Sequence, residues 1–151
     1  MDLLLWRHAE AEEGDDDFER ALTGRGEKQA KAVARWIRQH QPRHLRIVVS
    51  PTVRTRQTAD ALDLPFDIDR QVGPEARAPE LLAATGWPDT RGAVLLVGHQ
   101  PGLGQLASLL LAGQESGWSI KKGALWWLTR RIRGGETQTV LRTVVSPDFL
   151  L

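Results

Sequence analysis

Residues 3–12 read LLLWRHAEAE, a short apolar run that stops at an arginine and a histidine. Leu3, Leu4, Leu5 and Trp6 follow one another with no polar residue between them. Such a run predicts a strand buried on both faces, as in the interior of a parallel sheet. Arg7 and His8 then fall at its carboxyl end, where open α/β sheets place their ligands. The pair sets a fixed cation beside a nucleophile or proton carrier. Two later apolar runs end in a similar way. Leu45–Val49 leads into SPTVRTRQTADAL at 50–62, and Ala93–Val97 leads into GHQPGLGQLASLLL at 98–111.

Helical patterns separate these strands. After a polar stretch at 9–22, Thr23 suits an N-cap for a helix running to about Gln39. Ala30, Val33, Ala34 and Ile37 give that helix one buried face, while Lys28, Lys31, Arg35 and Arg38 lie outside it. Pro42 marks the exit. In the second unit Ser50 suits an N-cap and Pro51 the first helical position. Val53, Gln57, Ala61 and Arg54, Thr58, Leu62 then trace neighbouring ridges, which puts Arg54 near the helix start. Pro65–Asp69 reads as a short strand, and Glu80–Thr85 as a helical turn or two before the punctuation of Gly86, Pro88 and Gly92. Leu103, Leu106, Ala107 and Leu110 define a further amphipathic helix. Ala124–Thr129 and Thr137–Val145 read as two strands joined by a turn at Gly134–Gly135. The fold expected is an α/β three-layer sandwich: a mostly parallel central sheet, helices on both faces and an antiparallel C-terminal hairpin. No linker or internal repeat divides residues 1–151, so one domain is expected.

Composition narrows the chemistry. The chain has 151 residues, 26% charged and 41% hydrophobic, which is globular composition with enough length to bury a sizeable core. It has no cysteine, so disulfides, thiolate chemistry and Cys-ligated zinc are excluded. No apolar run approaches the ~20 residues of a membrane span, and Leu3–Trp6 is too short for the apolar region of a signal peptide. A soluble cytoplasmic protein without a membrane partner is the expectation. The net charge of +1 conceals an asymmetry, since residues 1–19 carry a net −7 and the remainder +8. The acidic run at 10–19 reads as a solvated loop.

Arg7–His8, Arg54 and His99 therefore gather at three strand ends, a set suited to phosphoryl transfer. A phosphoryl group in flight carries its charge on three equatorial oxygens, so catalysis is mostly positioning and electrostatic stabilisation. Two guanidinium forks match those oxygens and stay charged near neutral pH. A neutral imidazole can attack phosphorus and hold it covalently, while a second, protonated one can bind a non-bridging oxygen. Neighbouring guanidinium charge should keep the attacking imidazole unprotonated. Helix starts after residues 50 and 99 would add N–H groups directed at the anion.

RHA at 7–9, LTGRGEKQA at 22–30, SPTVRTRQTA at 50–59 and LLVGHQPGL at 95–103 together resemble the landmarks of the histidine phosphatase (phosphoglycerate mutase-like) superfamily. The likeness covers residues 3 to about 112, in order and spacing, and is most similar to SixA-type phosphohistidine phosphatases. It implies that His8 is the nucleophile and that Arg7, Arg54 and His99 complete a phosphate pocket, with no metal or other cofactor. It also implies as substrate a phosphohistidine-bearing protein of the histidine phosphotransfer type, with a small phosphate ester as the alternative. Two departures stand out. The family's usual RHG is RHA here, a variation the SixA-like branch tolerates. Larger members place a glutamate after the middle strand as general acid; PEARAPELL at 74–82 offers Glu75 and Glu80, and alignment by eye favours Glu75 as the candidate proton donor.

Other assignments are plainer. His40 and His44 read as surface residues, Arg56 as a helix-surface charge, Arg20 as a solvated arginine, and Gln57 and Thr58 as support or packing. Ser50 reads as a cap rather than a phosphate ligand. His8-Ala9-Glu10 matches half of a zinc deaminase signature, which the missing cysteines remove. No G-x-x-x-x-G-K-[ST] is present, so a P-loop is unsupported. The C-terminal KKGALWWLTRRIRGG could stack single-stranded bases. Its simpler reading is an outer strand with one tryptophan in the core, and no nucleic-acid partner is expected. A binding module without turnover is the remaining alternative.

Overall fold

Leu3, Leu4, Leu5 and Trp6 are each 0% exposed, the burial their uninterrupted apolarity predicts. The computed structural model describes residues 1–151. In chain order its strands are β1 (Asp2–Arg7), β2 (Leu45–Val49), β3 (Asp67–Ile68), β4 (Ala93–Gly98), β5 (Leu125–Arg133) and β6 (Glu136–Val145). Its helices are α1 (Gly24–Gln39), α2 (Val53–Asp60), α3 (Ala78–Thr85) and α4 (Gly102–Ala112). The sheet order is β3-β2-β4-β1-β5-β6. The four strands from β3 to β1 run parallel, and β5 and β6 join antiparallel.

Successive side chains on a strand point to opposite faces, so the apolar run supplies two cores at once. Leu4 and Trp6 pack with Val33, Ala34 and Ile37 of α1 and with Ala59 and Leu62 at the end of α2. Leu3 and Leu5 pack on the other side with Ala78 and Leu81 of α3 and Leu103, Leu106 and Ala107 of α4. The result is the expected three-layer α/β sandwich with an antiparallel C-terminal hairpin. Thr23 caps α1 as predicted, its Oγ1 accepting from the Gly26 N–H at 2.9 Å. β5 and β6 are joined by Gly134 and Gly135 alone, with φ of +59° and +79°. A two-residue turn with both φ positive is the type that matches strand twist.

Several boundaries differ from expectation. The short strand at 65–69 contracts to Asp67–Ile68, and the weak helix at 80–85 begins earlier, at Ala78. The N-cap of α2 is not Ser50. Thr52 takes that place, its Oγ1 accepting from the Thr55 N–H, and Pro51 precedes the helix. The Ser-Pro pair imitates a helix start, but Ser50 continues the path of β2, its N–H donating to the Val97 carbonyl at 3.1 Å. Trp127 is the core tryptophan of the last strands at 3% exposure, whereas Trp126 is half-buried. No helix is long and apolar enough to cross a membrane.

The two-sided burial of β1 sets a graded expectation. Leu4→Ala should lower unfolding free energy by about 2–5 kcal/mol. Ile132→Ala, at a side chain 70% exposed on β5, should change it by less than about 0.5 kcal/mol. Urea denaturation of the two variants beside wild type measures both.

Candidate active site

Parallel pairing in register brings the strand ends together. Arg7 lies opposite Gly98 across β1 and β4, so His8 and His99 leave the sheet side by side. The His8 N–H donates to the Gly98 carbonyl at 3.1 Å, and the two imidazole centroids are 5.3 Å apart at a 55° tilt. Arg54, the second residue of α2, points back to the same place and is only 4% exposed. Its Nη2 lies 3.4 Å from His99 Nδ1. The structure thus brings together the four residues that the sequence singled out: Arg7, His8, Arg54 and His99.

The local scaffold explains their fixity. The Ala9 N–H donates to Thr58 Oγ1 at 3.1 Å, and that hydroxyl donates to the Arg54 carbonyl at 2.7 Å, tying the turn after β1 to α2. The Leu22 N–H donates to Gln57 Oε1, and the Glu10 N–H to Gln29 Oε1. Gly26 lets α1 approach this turn, because a Cβ there would overlap the Glu10 carbonyl. On the other flank the Gly123 N–H donates to the carbonyls of Arg7 and His8, and Trp6 Nε1 donates to the Gly123 carbonyl at 2.9 Å. Arg7 Nη1 donates to the Ile120 carbonyl at 2.9 Å.

Tautomer and charge follow from these contacts. His8 Nδ1 lies 2.7 Å from the Ala9 carbonyl, which can only accept, so Nδ1 carries the hydrogen and Nε2 keeps a free lone pair. Burial lowers the His8 pKa; the Ala9 hydrogen bond opposes this, Arg54, Arg7 and Arg20 reinforce it, and the result is about 4. His99 falls further, to about 3, through burial, then through His8 and Arg54, with Asp17 pulling the other way. Both imidazoles are neutral near pH 7. The Nε atoms of Arg7 and Arg54 are buried with no hydrogen-bond acceptor.

Two participants were not foreseen. Asp17, from the acidic stretch read as a solvated loop, is drawn in by a 3-10 turn at Asp17–Glu19. Its carbonyl accepts from Arg54 Nη1, and its Oδ2 lies 3.1 Å from Nη2. Arg20 braces it, with Nη1 on Oδ1 at 3.2 Å and Nε on the Glu12 carbonyl. Burial alone would raise the Asp17 pKa, but hydrogen bonds to Arg54 and Arg20 outweigh it and hold the carboxyl below the usual range. Ser50 is the other, its Oγ 2.7 Å from His99 Nε2. Position was the available sign for Ser50, since it follows β2 as His8 follows β1. Glu75 and Glu80 are both exposed and line one cleft of about 520 Å³ with Asp17, Phe18 and Arg70. Neither glutamate is hydrogen-bonded to the four central residues, so the geometry does not choose between them. No group of three His, Cys, Asp or Glu side chains converges to hold a metal ion.

The model of the histidine phosphatase superfamily (branch 1) matches residues 3–81, just over half of the chain. The chain belongs to the histidine phosphatase superfamily. An uncharacterized protein of Picosynechococcus sp. is 32% identical over 172 aligned positions, covering 100% of this chain and 99% of its own. A phosphohistidine phosphatase SixA homolog of Haemophilus influenzae is 29% identical over 126 positions, covering 73% of this chain and 77% of its own. The structure of a proposed SixA phosphohistidine phosphatase from Nakamurella multipartitia superposes with a TM-score of 0.78 at 26% identity, covering 97% of this chain and 95% of that one. Fold and kinship support phosphatase chemistry for this histidine phosphatase family member.

Both imidazoles titrate below the ordinary 6.5 in the folded state, so the unfolded chain takes up protons first as pH falls. Stability should be insensitive to them above about pH 7 and should drop from pH 6.5 towards 4, at up to ~1.4 kcal/mol per unit for each. Urea unfolding between pH 7 and 4.5 should show a shallower loss in His8→Gln than in wild type. A second expectation concerns the carboxylate at Arg54. Asp17→Asn should tighten inorganic phosphate binding about fivefold, ~1 kcal/mol, as read by titration calorimetry. Weaker binding would mean that Asp17 orients Arg54 rather than competing for it.

Proposed function

We propose that this chain hydrolyses phosphohistidine on a protein through a covalent phospho-His8 intermediate, without a metal ion. The observation that carries the reading is a neutral His8 with its Nε2 lone pair free, beside two guanidinium groups whose buried Nε–H donors lack an acceptor. A buried donor without a partner is costly unless something satisfies it, and the oxygens of a phosphoryl group are suitable acceptors. The cluster is cationic, which suits an anion and supplies the charge stabilisation that a metal would otherwise give.

In the first step His8 Nε2 forms a bond to phosphorus as the P–N bond to the substrate imidazole breaks. Arg7 and Arg54 hold the equatorial oxygens. The departing nitrogen takes a proton from Glu75, the candidate donor, or from water. In the second step water attacks phosphorus, the P–Nε2 bond breaks, and inorganic phosphate leaves with His8 again neutral. Imidazole departs from a phosphoramidate far more readily than an alkoxide departs from an ester, so a weakly placed acid suffices. This fits the exposure of Glu75 and Glu80, neither of which is hydrogen-bonded to the four central residues. A protein substrate is supported by Phe18, 48% exposed on the rim beside Asp17. The phosphohistidine phosphatase relatives lend further support.

The test is a single-turnover reaction in EDTA with a phosphohistidine-bearing protein, and with a small phosphate ester in parallel, using wild type and His8→Ala. Wild type should clear the phosphohistidine faster than the ester and trap acid-labile phosphate, and His8→Ala should do neither. Equal hydrolysis by His8→Ala would overturn the nucleophile. Faster hydrolysis of the ester would overturn the substrate class, and binding without turnover would leave a phosphoprotein-binding module.

A further inference from the structure

Ser50 is 0% exposed at the end of β2. Its N–H is held by the Val97 carbonyl, and its own carbonyl accepts from Thr55 Oγ1 at 2.8 Å, so its side chain has little freedom. Its Oγ lies 2.7 Å from His99 Nε2, while the other ring nitrogen, Nδ1, lies 3.4 Å from Arg54 Nη2. No other hydrogen bond holds this ring. A guanidinium has donors and no acceptor, so the nitrogen facing it is the one with the lone pair. Neutral His99 therefore carries its hydrogen on Nε2 and donates it to Ser50 Oγ.

We infer that Ser50 is a positioning residue that fixes the tautomer and direction of His99, so that Nδ1 is the atom His99 presents to a phosphoryl group. The inference rests on the phosphatase reading of this site. When phosphoryl oxygens engage Arg54, Nδ1 is left facing them. A proton taken from solvent then turns it into a donor to one oxygen, while Nε2–H stays on Ser50 and the ring need not rotate. Without the hydroxyl, only the long 3.4 Å contact of Nδ1 with Arg54 would favour this tautomer, and no partner would hold the ring at Nε2. A hydrogen-bonded partner at the far nitrogen is the general means by which proteins set which imidazole nitrogen acts.

Long-range proton–nitrogen NMR spectra of the ¹⁵N-labelled full chain at pH 7 test the tautomer directly. Wild-type His99 should show the Nε2–H form, and Ser50→Ala should show a mixture of the two. With phosphoramidate as a small substrate, Ser50→Ala should lose on the order of 10- to 100-fold in kcat with KM little changed. Ser50→Thr, which keeps the hydroxyl, should recover both the spectrum and most of the rate. An Nδ1–H tautomer in wild type would overturn the proposal, whether or not the variants fold. A Ser50→Ala protein that kept the Nε2–H form and full kcat would overturn it as well. If wild type turned over no phosphorylated compound, the function proposed above would fall, while the spectra would still decide the role of Ser50.

Discussion

The register of β1 against β4 is the constraint on which the rest of this structure depends. Arg7 stands opposite Gly98, and the strands end in step, so two histidines emerge as neighbours from segments 91 residues apart in sequence. A slip of one residue would turn every side chain of β1 to the opposite face. Leu4 and Trp6 would then meet α3 and α4, and Leu3 and Leu5 would meet α1 and α2, cores shaped for the other pair. The apolar run that stabilises the sheet therefore also sets the spacing of the site. The side-by-side placement of the two histidines is a by-product of packing.

Crowding four basic side chains at one sheet edge carries an electrostatic burden. The protein meets it in two ways. Burial keeps both imidazoles uncharged, leaving two guanidinium groups as the fixed positive charges. Asp17, braced by Arg20, reaches in from a loop to neutralise one of them. Carbonyls take up part of what remains, Ile120 on Arg7 and Asp17 on Arg54. The two buried Nε–H donors stay unanswered. The free site thus keeps a net positive charge and buried donors suited to an oxyanion.

Much of this was legible in the sequence because strand ends are legible. An apolar run that stops dead marks both a buried strand and the place where its next residue enters the site, and Arg7, His8 and His99 follow such runs directly. Arg54 could be placed because the helix period puts it within a turn of the end of β2. The misreading of Ser50 has the same origin as the successes: local pattern was applied where tertiary contact decides. Ser-Pro imitates a cap, and nothing local reveals that Thr52 caps better or that an imidazole waits across the sheet. Asp17 was less accessible still. An acidic run without periodicity carries no information on which of its carboxylates will find a guanidinium. For Glu75 and Glu80 the irregular backbone around Gly73 and Pro74 left the sequence with two choices, and the shared cleft retains both.

The turn at Gly134–Gly135 has a consequence of another kind. Thr129 of β5 pairs with Asp2, the first residue of β1, and β5 then continues to Arg133 beyond that edge of the sheet. Four residues of strand carry the turn ~13 Å past the edge, at the end of the sheet opposite His8. Residues 131–138 around it are exposed, and none of them supports the two cores described above. The molecule therefore offers a tether point remote from its chemistry. A fluorescent reporter or an immobilisation tag spliced between Gly134 and Gly135 would hang from a ribbon that the reacting groups never touch.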